Sequence, residues 1–449
     1  MPALDDLADD EAFVVLAKQW GSRPARQALG DVLTEARNRE RDGRPVPRRD
    51  ELIQAAANLI ASRRAGDLGH VINASGTILP GNLGRAPLST LARDAVAKAA
   101  GYTAMGFDVE TGRRASRTDH LATLLAELCG TEAAMVVNNG AAALLLVLTA
   151  LSSGRDVIVS RGELVEVGAT FRLPDLVPLS GARLCEVGTT NRTRPVDYRS
   201  AIRDTAGMLL KVHPSDYRFV GAVESTGPVE LAAIAADHGI PFVFDVGVGL
   251  IDEVATPTLA GEPTVRGAIA DGADLVVFSG DKLMGGPQAG IVVGRSDLIM
   301  RCRRHPLARA LRIDKLHRAA LEATVASHLR ADEAPVDLPV WAMLSATTET
   351  LTRRARSIHA DVPSTRIEVV SLTARVGGGT GPGGEVPSIG LSVRARDPEA
   401  LARRLRAGRP PIIARAEAGV VLLDLRTVAP SDDGTVARLL KSALDDPAN

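Results

Sequence analysis

Between Ala133 and Val293 short apolar runs of strand length alternate with helical segments, which predicts an α/β fold built on a largely parallel sheet. Two further observations point the same way. Aromatic residues make up only 3% of the 449, so a core that is ample at 45% hydrophobic content must be built from Ala, Val, Leu and Ile, as in sheets covered on both faces. Polar residues gather just past the ends of the apolar runs, where open parallel sheets place their ligands. The length suits two or three domains.

Taken in order, residues 1–66 read as a helical domain, with apolar positions at helical spacing in Phe13–Ala17 and Leu52–Ile60. Between them Arg37, Arg39, Arg41, Arg44, Arg48 and Arg49 face only Glu40 and Asp42, and Gly43, Pro45 and Pro47 break the run. Such a run reads first as solvated helix faces, and only second as a place where phosphates of a nucleic acid could be met. After the Gly66-Asp-Leu-Gly69 break, the Gly, Asn and Pro content of Val71–Leu88 marks a long loop with Arg85 as its one cation. A second polar loop, Glu110–His120, leads into an amphipathic helix ending at Cys129.

Strands follow at Ala133–Val137, Val157–Ser160, Arg183–Val187, Met208–His213, Pro241–Asp245, Leu275–Ser279 and Ile291–Val293, with a buried helix at Leu144–Leu151 and another at Pro228–His238. Residues 67–330 are thus expected to form a large α/β domain, and 331–449 a small α+β domain. Its strands are predicted at Arg366–Val370, Ser388–Val393 and Gly419–Leu425, and its helices at Pro398–Leu405 and Thr435–Leu444. The Gly-rich stretch Val376–Gly384 is expected to be a mobile loop.

A formal net charge of -1 excludes a global attraction to nucleic acid or membrane, so any polyanion must meet a local basic patch. The longest apolar run, Ala141–Leu151, is too short to cross a bilayer. Cys129, Cys185 and Cys302 have no metal or redox spacing. With an acidic first segment that lacks an apolar signal core, the expectation is a cytoplasmic protein without metal.

Chemistry concentrates in Asp274–Gly290, where the apolar strand ends at Ser279, Asp281 and Lys282. Burying an ammonium without a partner is costly, and condensation with an aldehyde cofactor as a Schiff base is one escape. A surface ion pair with Asp281 is the plainer alternative. Asn139-Gly140-Ala141 opens a helix whose N-terminal N–H groups suit a phosphate, and Ser279 could share that phosphate. Asp245 ends the strand Phe242–Phe244, where a protonated pyridine nitrogen would need a counter-ion, or where a turn before Gly247 would need a cap. The order helix-start turn, strand-end Asp, Ser-x-x-Lys resembles aspartate-aminotransferase-like (type I) pyridoxal-phosphate enzymes.

Longer motifs narrow the resemblance. Asn82–Leu88, Ser160–Gly168, Glu186–Thr193, Phe278–Gly290, Pro306–Lys315 and Leu422–Thr427 look like the signatures of the bacterial selenocysteine synthase, or L-seryl-tRNA(Sec) selenium transferase, family, from about Val71 to Leu440. The resemblance implies pyridoxal 5'-phosphate on Lys282, which also acts as general base, with Asp281 assisting or orienting it. It implies Asp245 on the ring nitrogen, His213 and Ser215 near the phenolic oxygen, and Asn139, Gly140, Ala141 and Ser279 around the phosphate. Arg85, Arg309 and Arg312 would hold the phosphate of selenophosphate, the last two lying three apart and so expected on one helix face. The helical N-terminal domain would bind tRNA(Sec), and the assembly would be a homodecamer. Four positions depart from the family pattern: Pro80-Gly81, Ala115, Gly140 and Val248. Two other readings stay open, a related lyase or transferase acting on a small amino acid or amino sugar, and a degenerate RNA-binding paralogue. The N-terminal domain argues against the first, and intact Lys282 and Asp245 argue against the second.

Overall fold

The structure, a computed structural model, describes the chain except residues 1, 42–44, 46, 65–67, 115–119, 169–170, 216, 255, 332–334 and 446–449, and except the side chains of 62–64, 257 and 381–383. Arg44, the Gly66-Asp67 break and the departure at Ala115 lie outside the described residues. The chain divides into two compact units, Met1–Val71 with Gly408–Pro411, and Ile72–Ala407 with Ile412–Asn449.

The first unit contains helices Leu4–Ala8, Glu11–Trp20, Ser22–Arg41 and Arg49–Arg64. Their apolar positions recur at helical spacing and meet in a core of Leu7, Phe13, Leu16, Leu29, Leu33, Leu52, Ile53 and Ile60. Two arginines of the basic run already have acidic partners close in sequence: Arg39 pairs with Glu35 at 2.7 Å and Arg48 with Glu51 at 3.4 Å.

The second unit holds a seven-stranded sheet of β1 (Ala133–Val137), β2 (Asp156–Ser160), β3 (Arg183–Val187), β4 (Ala206–Val212), β5 (Phe242–Gly247), β6 (Leu275–Ser279) and β7 (Gly290–Gly294). Its order is β1-β7-β6-β5-β4-β2-β3. Only β7 runs antiparallel, inserted between β1 and β6, so the C-terminal ends of β1, β6, β5 and β4 all open on one edge. Helices cover both faces, which accounts for strands that are apolar throughout rather than alternating. One face packs Leu125, Leu231, Ile234, Phe278 and Leu321 together, the other Leu144, Leu148, Leu173, Leu210 and Ile299.

Beyond it, β8 (Ile367–Gly377), β9 (Thr380–Arg394), β10 (Arg415–Glu417) and β11 (Val420–Asp424) form an antiparallel sheet in the order β8-β9-β11-β10, under helices Thr348–Asp361, Pro398–Ala407 and Asp433–Leu444. Three expectations change here. The boundary drawn at residue 66 falls after Val71, and no division appears at 330. The reason is pairing: Ile72–Asn73 lies parallel to Ile412–Ile413, Thr77 bridges Arg375, and Ile72 and Ala74 join the core of the C-terminal sheet. A shared apolar cluster of Ile78, Leu79, Val248, Leu283, Trp341 and Val376 then ties that sheet to the large one. Third, Val376–Gly384 is not a loose loop but the turn and start of a hairpin, with Gly377 opposite Thr380 and Gly377, Gly378 and Gly379 at φ 75, 64 and 72. Glycine is needed there because three successive left-handed residues would strain any side chain.

Candidate active site

The strand ends at the open edge gather the predicted residues around a cavity of about 350 Å³. It is lined by Asn139, Gly140 and Ala141 after β1, His213 and Ser215 after β4, Asp245 in β5, Ser279 at the end of β6, Asp281, Lys282 and Arg85. These positions are 54 to 197 residues apart from Arg85 in sequence yet adjacent in space, because parallel strands finish at one edge. Arg309 and Arg312 do not line it.

Lys282 is 6% exposed, on a tight turn just beyond β6. Its position is set by backbone bonds on either side: Gly280 N–H donates to the Ala289 carbonyl at 2.9 Å and Leu283 N–H to the Val248 carbonyl at 3.0 Å. Val248 is fully buried in the apolar cluster beneath this turn and is absent from the cavity lining, so that departure alters packing under the lysine rather than the polar wall. Asp281 accepts from Arg85 Nη1 at 2.8 Å, and the Ala86 N–H meets the Asp281 carbonyl at 3.3 Å. Arg85 is held at φ 62, a left-handed conformation uncommon outside glycine, by its N–H donating to the Pro80 carbonyl at 3.0 Å. The departure at Pro80-Gly81 therefore sits in the turn that aims Arg85.

Asp245 opens to the cavity and is otherwise enclosed by protein. Burial pushes its carboxyl up to about 6, opposed by the charge of Lys282, the Gly247 N–H at 3.0 Å and, least, His213. The His213 N–H donates to the Asp245 carbonyl at 2.9 Å, and the Ser215 N–H to the His213 carbonyl at 2.9 Å. The opposite wall begins the helix Gly140–Ser152, where Asn139 is the N-cap and accepts from Ala142 N–H at 2.8 Å. A Cβ built on Gly140 would lie 2.6 Å from Ser279 Oγ, so glycine here leaves the first-turn N–H groups and the Ser279 hydroxyl close together with nothing between them. That is a cradle for a phosphate, and with a buried lysine and a carboxylate across the cavity the residues present fit pyridoxal phosphate.

The helix containing Arg309 ends at Ala310 and Leu311 is its cap, so Arg309 and Arg312 do not share a helix face. Arg312 instead pairs in a backbone bridge with Val137, two residues before Asn139, and both arginines are exposed. Their motif is anchored by its other charges. Asp314 caps the helix Lys315–Arg330 through Leu316 N–H at 2.7 Å, and Lys315 Nζ donates to the Gly101 carbonyl.

Phe171, Val165, Val167 and Gln288 also line the cavity and were not expected there; Phe171 falls three residues beyond the Ser160–Gly168 motif. Behind the wall, Lys211 Nζ pairs with Glu163 Oε1 at 2.7 Å while Glu163 Oε2 accepts from Val212 N–H at 3.1 Å. A lysine inside the apolar run Leu209-Leu-Lys-Val212 was itself a signal, since a buried ammonium requires a partner. Among the described residues no His, Cys, Asp and Glu cluster could hold a metal, and no helix is long and apolar enough to cross a membrane.

A family model of L-seryl-tRNA selenium transferase matches residues 71–429. The chain belongs to that family. It is 42% identical over 452 residues to the L-seryl-tRNA(Sec) selenium transferase of Moorella thermoacetica, covering 99% of this chain and 94% of that protein. The corresponding proteins of Geobacter metallireducens and Rhizobium meliloti are each 40% identical, with 99% of this chain and 99% and 97% of theirs covered. Among solved structures, a D-glucosaminate-6-phosphate ammonia-lyase superposes with a TM-score of 0.60 at 21% identity, over 87% of this chain and 99% of that one. At that identity the likeness is one of fold, the mainly parallel α/β arrangement described above.

Proposed function

We infer that this chain converts L-seryl-tRNA(Sec) to L-selenocysteinyl-tRNA(Sec) with pyridoxal phosphate as cofactor and selenophosphate as donor. The observation that carries the reading is Lys282, almost fully buried at the mouth of a parallel sheet, facing Asp245 and a helix N-terminus across one cavity. When bound, the cofactor supplies an electron sink for carbanion chemistry at the seryl α-carbon. Lys282 would anchor it through Nζ and, as a free amine, would remove the α-proton. Asp245 provides the carboxylate that holds a ring nitrogen protonated, and the Gly140 and Ala141 N–H groups with Ser279 hold a phosphate. Asp281 orients the lysine turn through Arg85, whose guanidinium is the cavity's cation for an anionic donor. Arg309 and Arg312 are proposed as further donor contacts, from a separate segment. The helical first unit is proposed to bind the tRNA, and a homodecamer in the cytoplasm is the proposed assembly and location.

The test is direct. Purified protein incubated with pyridoxal phosphate is expected to gain a visible absorption band, and borohydride reduction followed by peptide mass spectrometry to place the adduct on Lys282. Lys282→Ala is expected to lose that adduct and at least a thousandfold of selenium transfer, as removal of a covalent and acid–base group does. A colourless wild-type protein, or an adduct elsewhere, would sink the assignment.

A further inference from the structure

His213 stands where two cavities meet. It lines the site with Asp245, Ser279 and Lys282, and with Val212 it also lines a neighbouring cavity of about 700 Å³. Its ring Nε2 lies 3.0 Å from Oε2 of Glu262, whose side chain is 2% exposed. The start of the next helix does not use that carboxylate. The helix Val265–Ala270 starts just after it, but Thr264 is the cap and accepts from Gly267 N–H at 2.9 Å. A carboxylate buried so far is costly unless donors face it, and when ionised it only accepts. A proton on Nε2 of His213 would face that carboxylate, which leaves Nδ1 as the ring nitrogen that Glu262 does not engage.

We propose that Glu262 is a positioning residue of the active site, acting through His213 by fixing the Nε2–H tautomer and holding the imidazole in the cofactor-facing wall. The proposal rests on the cofactor assignment made above. It extends the site by one residue that reaches the cavity only through another side chain, 49 positions away in sequence. Because the His213 backbone is bonded to Asp245 on one side and Ser215 on the other, a displaced ring would disturb both cofactor-facing neighbours.

The experiment is a double-mutant cycle in the full-length protein, read by spectral titration with pyridoxal phosphate and by the pH dependence of the resulting band. Glu262→Gln is expected to weaken affinity about tenfold, the effect of one lost charge-assisted hydrogen bond, and to shift the band's pH profile. In a His213→Gln background the same change is expected to cost less than twofold. Glu262→Asp, which keeps the carboxylate, should retain most of the affinity. Equal losses in both backgrounds would reduce Glu262 to a structural role, and unchanged affinity in Glu262→Gln and Glu262→Ala alike would overturn the proposal while leaving the cofactor assignment standing. A wild-type protein that never develops the band would overturn both.

Discussion

At the scale of single residues, the cavity is expensive to keep ready. Asp245 titrates near 6 against an ordinary 3.8, with burial the dominant cause. Between those two values the folded chain holds a proton that the unfolded chain has released, so stability falls as pH rises through the window and stays lower above about 6. A shift of about two units corresponds to roughly 3 kcal/mol. Asp245→Asn is therefore expected to stabilise the cofactor-free protein by about 1–3 kcal/mol at pH 8 and by little at pH 4, while weakening cofactor binding. Urea unfolding at the two pH values checks this, and an equal effect at both would contradict it. Lys282, Asp245 and Ser279 were legible in the sequence because each breaks an apolar strand at its end, where a polar residue has to have a reason. The buried pairings of Glu163 and Glu262 behind the cavity were not legible. A buried carboxylate announces itself only through its partner, and the partners Lys211 and His213 lie 48 and 49 residues away.

At the scale of elements, the close approach of β6 to the first turn of the helix Gly140–Ser152 decides which residue can start that helix. Exchanging glycine for alanine in a helix ordinarily gains up to about 1 kcal/mol. Here the added methyl would meet Ser279 Oγ at 2.6 Å, and the sign is expected to reverse to a loss of roughly 1–3 kcal/mol. The same Gly140→Ala change made in Ser279→Ala should recover the gain, as denaturant unfolding of the four proteins would show. An equal gain in both backgrounds would mean the contact is not tight. Strand and helix periods were readable from the pattern, but the Val376–Gly384 hairpin was not. Its composition is that of a flexible linker, and only the pairing of β8 with β9 turns glycine richness into a specific turn. Likewise the three-residue spacing of Arg309 and Arg312 suggested one helix face, yet the bridge from Arg312 to Val137 takes the second arginine out of the helix.

At the scale of the whole molecule, the first unit has its own apolar core of Leu7, Phe13, Leu29, Leu33 and Ile53, so its removal takes away a self-contained body. Deleting residues 2–71 is expected to lower affinity for tRNA(Sec) at least tenfold and to flatten its salt dependence, because phosphate contacts release counterions, while leaving the cofactor band intact. Filter binding across a salt series tests this, and undiminished affinity would move the RNA site elsewhere. The sequence by itself determined the α/β class, the parallel sheet, the lysine at a strand end and the family. Those follow from local alternation, from polar residues that interrupt apolar strands, and from motifs that are contiguous in the chain. Only the tertiary structure decided that Ile72–Asn73 pairs with Ile412–Ile413 beside the C-terminal sheet, that Arg85 reaches Asp281 while Arg309 and Arg312 lie outside the cavity, and that Glu262 backs His213. Each of these depends on which distant strand ends are brought to the same edge, and that is settled by the order in which strands pair, a property that no window of sequence contains.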